Sequence, residues 1–312
     1  MITVVGATGT LGRQLIPQLL SPDGVPGGEP VRAVAHDPEP LRAQPGLELV
    51  AADVATEAGA ARAVAGARVV VSAITGFAAP AGVMGVDAAA NRTLIGAAAR
   101  AGVEHVVILS VRGADVGSPI ELFRAKGQAE QAARESGMNW TLIRPTAYLE
   151  TWLGIVGAPL VATGKTMVFG RGQNPINFVS AVDVAHLVRR AIEDPLMRGQ
   201  ILDIAGPENL TIEELIRLVE AASGRTGSVS HVPRLAMRVL SRVIRPINPM
   251  RAGQMSAALM MDTDVMTVDG SAIRATQTSI PMTTAADVAR RMFSNAEATS
   301  VSEGSVKKQQ LR

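Results

Sequence analysis

The sequence of 312 residues predicts a doubly wound α/β fold, with helices on both faces of a mostly parallel sheet. In the first half of the chain, short β-branched runs alternate with Ala- and Leu-rich helical stretches. These runs lack polar–apolar alternation, which is typical of strands covered on both faces. A glycine-rich turn follows the first run, at Gly6–Gly12. At roughly 150 residues per domain, the length allows a second, smaller domain.

The predicted elements follow in chain order. Strands are predicted at Ile2–Val5, Val31–Ala35, Leu47–Val50, Val69–Ser72, Val106–Leu109, Trp140–Ile143, Ile176–Val179 and Ile201–Ile204. Helices are predicted at Thr10–Leu20, Asp87–Arg100, Pro119–Glu135, Val182–Glu193, Ile212–Ser223 and Ala285–Phe293, with a Met- and Arg-rich helical region before Met261. Pro17 predicts a kink or an early end of the first helix, and Thr284 is placed to cap the last one.

These elements predict three regions. Residues 1–150 form the sheet domain, and later segments around 176–204 return to it. Residues 151–293 form a smaller, mostly helical substrate-binding region. Residues 294–312 are rich in Ser, Gln and Lys and are predicted to be a flexible tail.

The composition excludes several classes of protein. With 47% apolar and 19% charged residues, the chain is not intrinsically disordered. A net charge of +2 is too small for a dedicated nucleic-acid binder. The absence of cysteine excludes disulfides, thiolate nucleophiles and Cys-ligated metals, and four scattered histidines indicate no metal site.

The apolar segments predict no membrane span, and the absence of cysteine favours a reducing cytoplasm. Met1 leads directly into a strand with no basic region, so no signal peptide is expected. The segment 69–86 carries no charge, but Gly76, Pro80, Gly82 and Gly85 interrupt it. We therefore expect a strand followed by a loop.

The glycine-rich turn is the strongest motif. It reads Gly6-Ala7-Thr8-Gly9-Thr10-Leu11-Gly12. Gly6 permits a tight turn, Gly9 lets backbone amides approach a diphosphate, and Gly12 allows the helix to pack closely on the strand. Because the turn joins a strand to an amphipathic helix, it predicts dinucleotide binding rather than an ordinary turn.

With several later motifs, this turn resembles the atypical and extended short-chain dehydrogenase/reductases, specifically the NmrA-like NAD(P)H-binding branch. The matching pieces are Val31–Pro38, Ala52–Val54, Val107–Ser110, Lys126 with Glu130, Ser136–Pro145 and Asn177–Ala185. They occur in family order over roughly residues 1–222. The resemblance implies a Rossmann fold and an NAD(P)H cofactor.

The resemblance also implies a set of cofactor-binding residues: Gly6, Thr8, Gly9, Thr10, Leu11, Gly12, His36, Asp53, Val54, Ala73, Ile74, Lys126, Pro145 and Thr146. His36 falls at the end of the second strand, with Arg32 and Arg42 near it in sequence, which favours NADP(H) over NAD(H). Asp37 supports the opposite choice, since a carboxylate there would bind a ribose 2′-hydroxyl.

The catalytic residues of the wider superfamily are only partly present. Its Tyr-x-x-x-Lys pair would fall at positions 122 and 126, which here are Leu122 and Lys126. Ser110 lies near the superfamily's catalytic serine, and the chain's single tyrosine, Tyr148, follows the sixth predicted strand. The resemblance therefore implies Lys126, Ser110 and Tyr148 as candidate catalytic residues, with Lys126, a water or Tyr148 as the proton donor.

A basic stripe marks the C-terminal region. Arg234, Arg238 and Arg242 share one helical face, and no acidic residue occurs between Glu220 and Asp262. The stripe fits a solvated helix face, an acidic substrate, or peripheral contact with an anionic membrane or partner. Methionines in the same region fit either a broad substrate pocket or core packing.

Three functions remain open from the sequence. The first is an NADPH-dependent reductase of a small apolar or aromatic carbonyl, quinone or enone. The second is a non-catalytic NAD(P)-binding redox sensor of the NmrA type, which the missing tyrosine favours. The third is an accessory protein that docks on a membrane complex. The sequence leaves the substrate and the oligomeric state open.

Overall fold

The computed structural model describes residues 1–22, 24, 28–76, 79, 82–244, 246–275 and 279–294. Its strands are β1 (Ile2–Val5), β2 (Val31–Ala35), β3 (Leu47–Ala51), β4 (Val69–Ser72), β5 (His105–Leu109), β6 (Asn139–Pro145), β7 (Ala147–Tyr148), β8 (Lys165–Phe169), β9 (Ile176–Val179), β10 (Gln200–Ile204), β11 (Glu208–Leu210) and β12 (Ser228–Val232). Its helices are α1 (Thr10–Leu20), α2 (Glu57–Val64), α3 (Asn91–Arg100), α4 (Glu121–Glu135), α5 (Leu149–Thr163), α6 (Ala181–Glu193), α7 (Ile212–Ser223), α8 (Arg234–Ile244), α9 (Pro249–Thr263), α10 (Gly270–Arg274) and α11 (Ala285–Phe293).

The chain divides into two units. The first unit comprises Met1–Thr146, Ala181–Ile204 and Ile273–Pro281, and the second comprises Ala147–Ser180, Ala205–Ala272 and Met282–Arg312. Of the later segments expected to return to the first domain, β10 joins the sheet of the first unit. β9 instead pairs with β7 and β11 in the second unit, where the buried Asn177 exchanges hydrogen bonds with Gly206.

The first unit is built on a seven-stranded sheet in the order β10-β6-β5-β4-β1-β2-β3. All six pairings are parallel. Every residue of β1, β2, β4 and β5 is buried, because helices cover both faces. The predicted doubly wound α/β fold is confirmed.

α1 has the predicted bounds, Thr10–Leu20, and the early end expected at Pro17 does not occur, because Leu15, Ile16 and Leu19 stay buried while Pro17 faces solvent. Two other helical segments of the first unit differ from expectation. α2 was not predicted, since it is a short Ala-rich helix whose start depends on the Thr56 side chain accepting the Gly59 amide at 3.1 Å. The expected helix from Asp87 begins as a π-helical segment, Met84–Ala90, that continues into α3.

The second unit contains α5, α7, α8, α9 and α11 together with the three-stranded sheet β11-β9-β7 and the two-stranded sheet β12-β8. Its core forms around Leu153, Phe178, Val219 and Phe293. The predicted cap of α11 is confirmed: the Thr284 hydroxyl accepts the Asp287 amide, and the Asp287 carboxylate accepts the Thr284 amide. Among the described residues, none of the helices has the length and hydrophobicity to cross a membrane.

Candidate cofactor and catalytic site

Predicted cofactor-binding residues of the first unit, together with the candidate catalytic Ser110, lie at one edge of its sheet. Gly6 follows β1, His36 follows β2, Ala73 follows β4, Ser110 follows β5, and Thr146 follows β6. Because these strands are parallel, their carboxyl ends meet at the same edge. The chain moves outward through β2 and β3 and then resumes at β4 on the opposite side of β1, so a topological switch point lies between β1 and β4. Ligands of open α/β sheets bind at such a point.

The glycine loop has no space for side chains. Gly6 has φ +84°, and a Cβ there would lie 2.7 Å from the Ala73 carbonyl oxygen. A Cβ on Gly12 would lie 2.3 Å from the Ala7 carbonyl oxygen. Both contacts are with backbone, so α1 and the end of β4 pack against β1 only because these residues are glycine.

The N-terminus of α1 presents unused amides. Gly9 is the N-cap residue and supplies no side-chain cap, and the first turn carries no acidic residue. The amides of Leu11 and Gly12 donate to no described residue. Arg13 lies beside them and donates from Nε to the Thr8 carbonyl oxygen at 2.8 Å. Free amides, the positive end of the helix dipole and a neighbouring guanidinium together favour a bound phosphate.

The polar residues in β2 and just after it lie in two different environments, the exposed end of the strand and the core. His36 and Asp37 are exposed, and the Asp37 carboxylate accepts the Glu39 amide at 3.1 Å. Arg32 does not lie near His36 as the sequence suggested: it is buried, pairs with Glu48 at 2.9 Å, and donates to carbonyl oxygens at the end of α2. Since side chains alternate across a strand, Arg32 is directed towards the helix layer.

Other predicted cofactor residues shape the same edge. Asp53 is exposed, and its carboxylate accepts the Ala55 amide at 2.9 Å. Val54 is buried in the core, against which Ile74 packs while remaining half-buried. Backbone and apolar side chains therefore form most of this edge, with Asp53 as a polar group at its rim.

Lys126 is a buried cation on α4. Its side chain is 7% exposed and forms an ion pair with Asp87 at 2.7 Å, and Asp87 is fully buried. Lys126 Nζ also donates to the carbonyl oxygens of Leu109 at 2.8 Å and Ile74 at 3.1 Å. The second carboxylate oxygen of Asp87 accepts the Gly76 amide at 2.7 Å. The pair thus ties α4 to the ends of β4 and β5.

Ser110 belongs to a second buried polar group. Its hydroxyl donates to Glu130 at 2.5 Å. Glu130 is 1% exposed and also accepts two bonds from Arg144, at 2.7 and 2.6 Å, and one from Arg134 at 2.9 Å. The hydrogen bond to Glu130 raises the pKa of Arg144. Ser110 is therefore held against a carboxylate that two guanidinium groups already neutralise.

Tyr148 belongs to the second unit, at the end of β7. Burial, and secondarily the Glu150 carboxylate, raise the pKa of its phenol above the ordinary value. At neutral pH the phenol is protonated, which is the form a proton donor requires.

The second unit also contains a small apolar pocket of about 30 Å³. Trp152, Ile155, Met167, Phe169 and Met261 contribute to its walls, and Asp262 and Asn174 add polar atoms. Of the methionines noted in the sequence, Met261 lines this pocket and Met237 is buried.

Sequence reasoning missed Asp87, Arg13 and the role of Glu130. Asp87 had no local signal, because it meets Lys126 only through the folding of α4 onto the π-helical segment. A signal did exist for Glu130. Lys126 and Glu130 are charges four residues apart on the face of α4 that carries Ala125, Ala129 and Ala133, where only partnered charges are stable.

Known proteins resemble this chain in sequence and in fold. The sequence model of a family described as NAD(P)H-binding matches residues 6–195. The chain is 28% identical to the NAD(P)H azoreductase of Xenophilus azovorans, over 72% of this chain and 74% of that protein. It is 26% identical to the photosystem II assembly factor Ycf39 of Cyanophora paradoxa, over 74% of this chain and 71% of that protein. The fold is similar to that of the NADPH-dependent quinone oxidoreductase QOR2 of Escherichia coli, solved with NADPH, with TM-score 0.71, 23% identity, and 94% of this chain and 100% of that chain covered.

Proposed function

Because the chain belongs to the NAD(P)H-binding family, we propose that it is an NADPH-dependent reductase of a small apolar or aromatic carbonyl, quinone or enone. The observation that carries the proposal is the uncapped N-terminus of α1, whose Leu11 and Gly12 amides have no partner among the described residues. The azoreductase and the quinone oxidoreductase among the similar proteins support reduction as the chemistry.

NADPH is favoured over NADH at the end of β2. His36 is exposed there, where an NAD-specific site usually carries an acid. The neighbouring Asp37 carboxylate accepts a backbone amide of its own turn, which reduces its availability to a ribose hydroxyl. Arg32 no longer supports the preference, so the side chains proposed to meet the 2′-phosphate are those of His36, Arg42 and Arg13.

The contacts of Lys126 favour a positioning role over proton donation. An ammonium group has three N–H donors, and three oxygens, those of Asp87, Ile74 and Leu109, lie within 3.1 Å of Nζ. Giving up a proton would also leave the Asp87 carboxylate buried without its cation, which is costly. We therefore assign Lys126 to holding together the strand ends on which a bound nicotinamide would lie. The proton comes from Tyr148 or a water, since Ser110 already donates to Glu130.

A cofactor-binding regulator is the second candidate. Leu122 stands where the superfamily's catalytic tyrosine would be, and a similar protein is a photosystem II assembly factor. The first unit would then bind the dinucleotide without transferring hydride.

Turnover distinguishes the two functions. Purified protein is mixed with NADPH or NADH and a panel of quinones, azo dyes and enones, and loss of nicotinamide absorbance is followed while binding is measured by Trp fluorescence. A reductase oxidises NADPH faster than NADH with at least one acceptor class. Tight binding with no turnover across the panel would support the regulator.

Variants test the site itself. Lys126→Ala should lower kcat strongly, because the ends of β4 and β5 lose their common tie, whereas Lys165→Ala removes an exposed lysine and should leave kcat unchanged. Equal activity of the two variants would refute the role assigned to Lys126.

A further inference from the structure

Helix α8 exposes a row of apolar side chains. Leu235, Val239 and Val243, spaced four residues apart, are 71%, 53% and 62% exposed. Leu240 extends this row on α8 at 46% exposure, and Ile247, three residues beyond the end of the helix, is 85% exposed. Apolar side chains this exposed and this closely grouped indicate an interaction surface.

The opposite side of α8 is the face that packs against the second unit. Met237 is fully buried, and α8 packs on α9. The second unit therefore packs on α8 through the Met237 side and does not use the exposed row.

Arginines lie directly beside the apolar row. Arg238 and Arg242 are exposed and project within about 100° of Leu235 on the helical wheel. Arg234, expected from the sequence to complete the stripe, is instead bound to Asp262, with 2.5 Å between Nε and Oδ2. The surface available to a partner thus carries two arginines rather than three.

Acidic residues do not balance this charge within the segment. No Asp or Glu occurs from residue 221 to residue 261. The next acid, Asp262, bonds Arg234 and the amides of Arg171 and Gly172. The face is consequently apolar and cationic, and residues 221–261 supply no acid to neutralise it.

We propose that this face of α8 binds the surface of an anionic lipid bilayer. An apolar row flanked by arginines is typical of helices that lie in the plane of the membrane interface. Leu235, Val239 and Val243 would enter the acyl boundary, and the two arginines would bind lipid phosphates. A second copy of the chain is a poorer occupant, because two such faces would bring like charges together.

Vesicle flotation of the full chain tests the proposal. Vesicles of phosphatidylcholine with about 30 mol% phosphatidylglycerol should bind the protein, vesicles of phosphatidylcholine alone should not, and added salt should weaken binding. Arg238→Gln with Arg242→Gln should weaken binding about 30-fold, at about fivefold for each arginine. Leu235→Ser with Val239→Ser and Val243→Ser should abolish it.

Matched controls keep the test specific. Arg62→Gln with Arg291→Gln removes the same charge from exposed positions on α2 and α11 and should retain binding. All substituted side chains are exposed, so far-ultraviolet circular dichroism and the thermal midpoint should stay unchanged. Absence of binding to anionic vesicles at low salt would overturn the proposal, as would equal weakening by the control pair. A dimer in sedimentation velocity that the serine variant dissociates would identify a second copy as the occupant and also overturn it.

Discussion

Protonation of His105 should destabilise the first unit. His105 lies in the buried strand β5, is 1% exposed, and its Nε2 is 2.9 Å from the Thr141 hydroxyl. That hydroxyl donates its only hydrogen to the Met197 carbonyl oxygen at 2.8 Å, so Nε2 must be the donor to Thr141. Nδ1 then carries no proton and has no partner in the described part of the chain. A second proton would place an unpaired charge in the core.

The pKa of His105 gives the size of the effect. Burial, with the charges of Arg198 and Arg68, lowers it from 6.5 to about 4. The unfolded chain therefore binds more protons than the folded chain between these values, and stability falls as pH decreases through this window. The loss between about pH 7.5 and about pH 5 is about 2 kcal/mol, and the limit well below the folded pKa is about 3 kcal/mol.

Urea unfolding across this pH range measures the loss. His105→Gln removes the titration and retains a donor for Thr141, so it is the matched variant. The free energy of unfolding of the unmodified protein should fall by about 2 kcal/mol more than that of the variant between about pH 7.5 and about pH 5. His186, whose pKa burial also lowers, is common to both proteins and cancels. Parallel curves, or an NMR titration of His105 near 6.5, would refute the reasoning.

Three further substitutions test the fold and the site. Gly12→Ala places a Cβ 2.3 Å from a backbone oxygen of the glycine loop and should weaken NADPH binding more than about tenfold by fluorescence titration. The control is Gly96→Ala on α3, where the nearest neighbour is a flexible side-chain atom at 3.4 Å, and it should leave NADPH affinity unchanged. Equal NADPH affinities of the two variants would contradict the role assigned to the loop. Thr284→Ala removes a capping box and should cost about 1 kcal/mol in urea unfolding, whereas no change would mean that the cap does not stabilise the helix. Asp87→Asn leaves the Lys126 cation without its carboxylate and should cost about 3 kcal/mol or more by thermal unfolding, and an unchanged midpoint would show that the pair is dispensable.

Elements with a strong local pattern were predictable from the sequence. β1, β2 and β4 have the predicted ends, because each is a β-branched run bounded by breakers and buried on both faces. α7 and α11 also have the predicted ends, since each combines an apolar stripe with a capping threonine. In these segments propensity, periodicity and capping favour the same structure.

Elements without such a pattern were missed. α5 is apolar around most of its circumference and contains Pro159, so its sequence shows little helical periodicity. β8 and β12 pair with each other over a separation of some sixty residues, and their exposed residues include Met167 and Val229. Their stability comes from that pairing, which no local window contains.

The candidate site likewise contains one part that a local sequence pattern predicts and one part that only the folded chain brings together. The geometry of the glycine loop was predictable because it depends on three glycines within seven residues and on one adjoining helix. The environment of Lys126 was not, because Asp87, Ile74 and Leu109 reach it only after α4 packs beside the ends of β4 and β5. This difference changes the interpretation of the chemistry. The resemblance suggested a lysine available to donate a proton, whereas the folded chain surrounds its ammonium with three oxygens. A group held in this way orients the strand ends on which a nicotinamide would lie. In the proposed reduction, the proton that accompanies hydride transfer would therefore come from outside the Lys126–Asp87 pair.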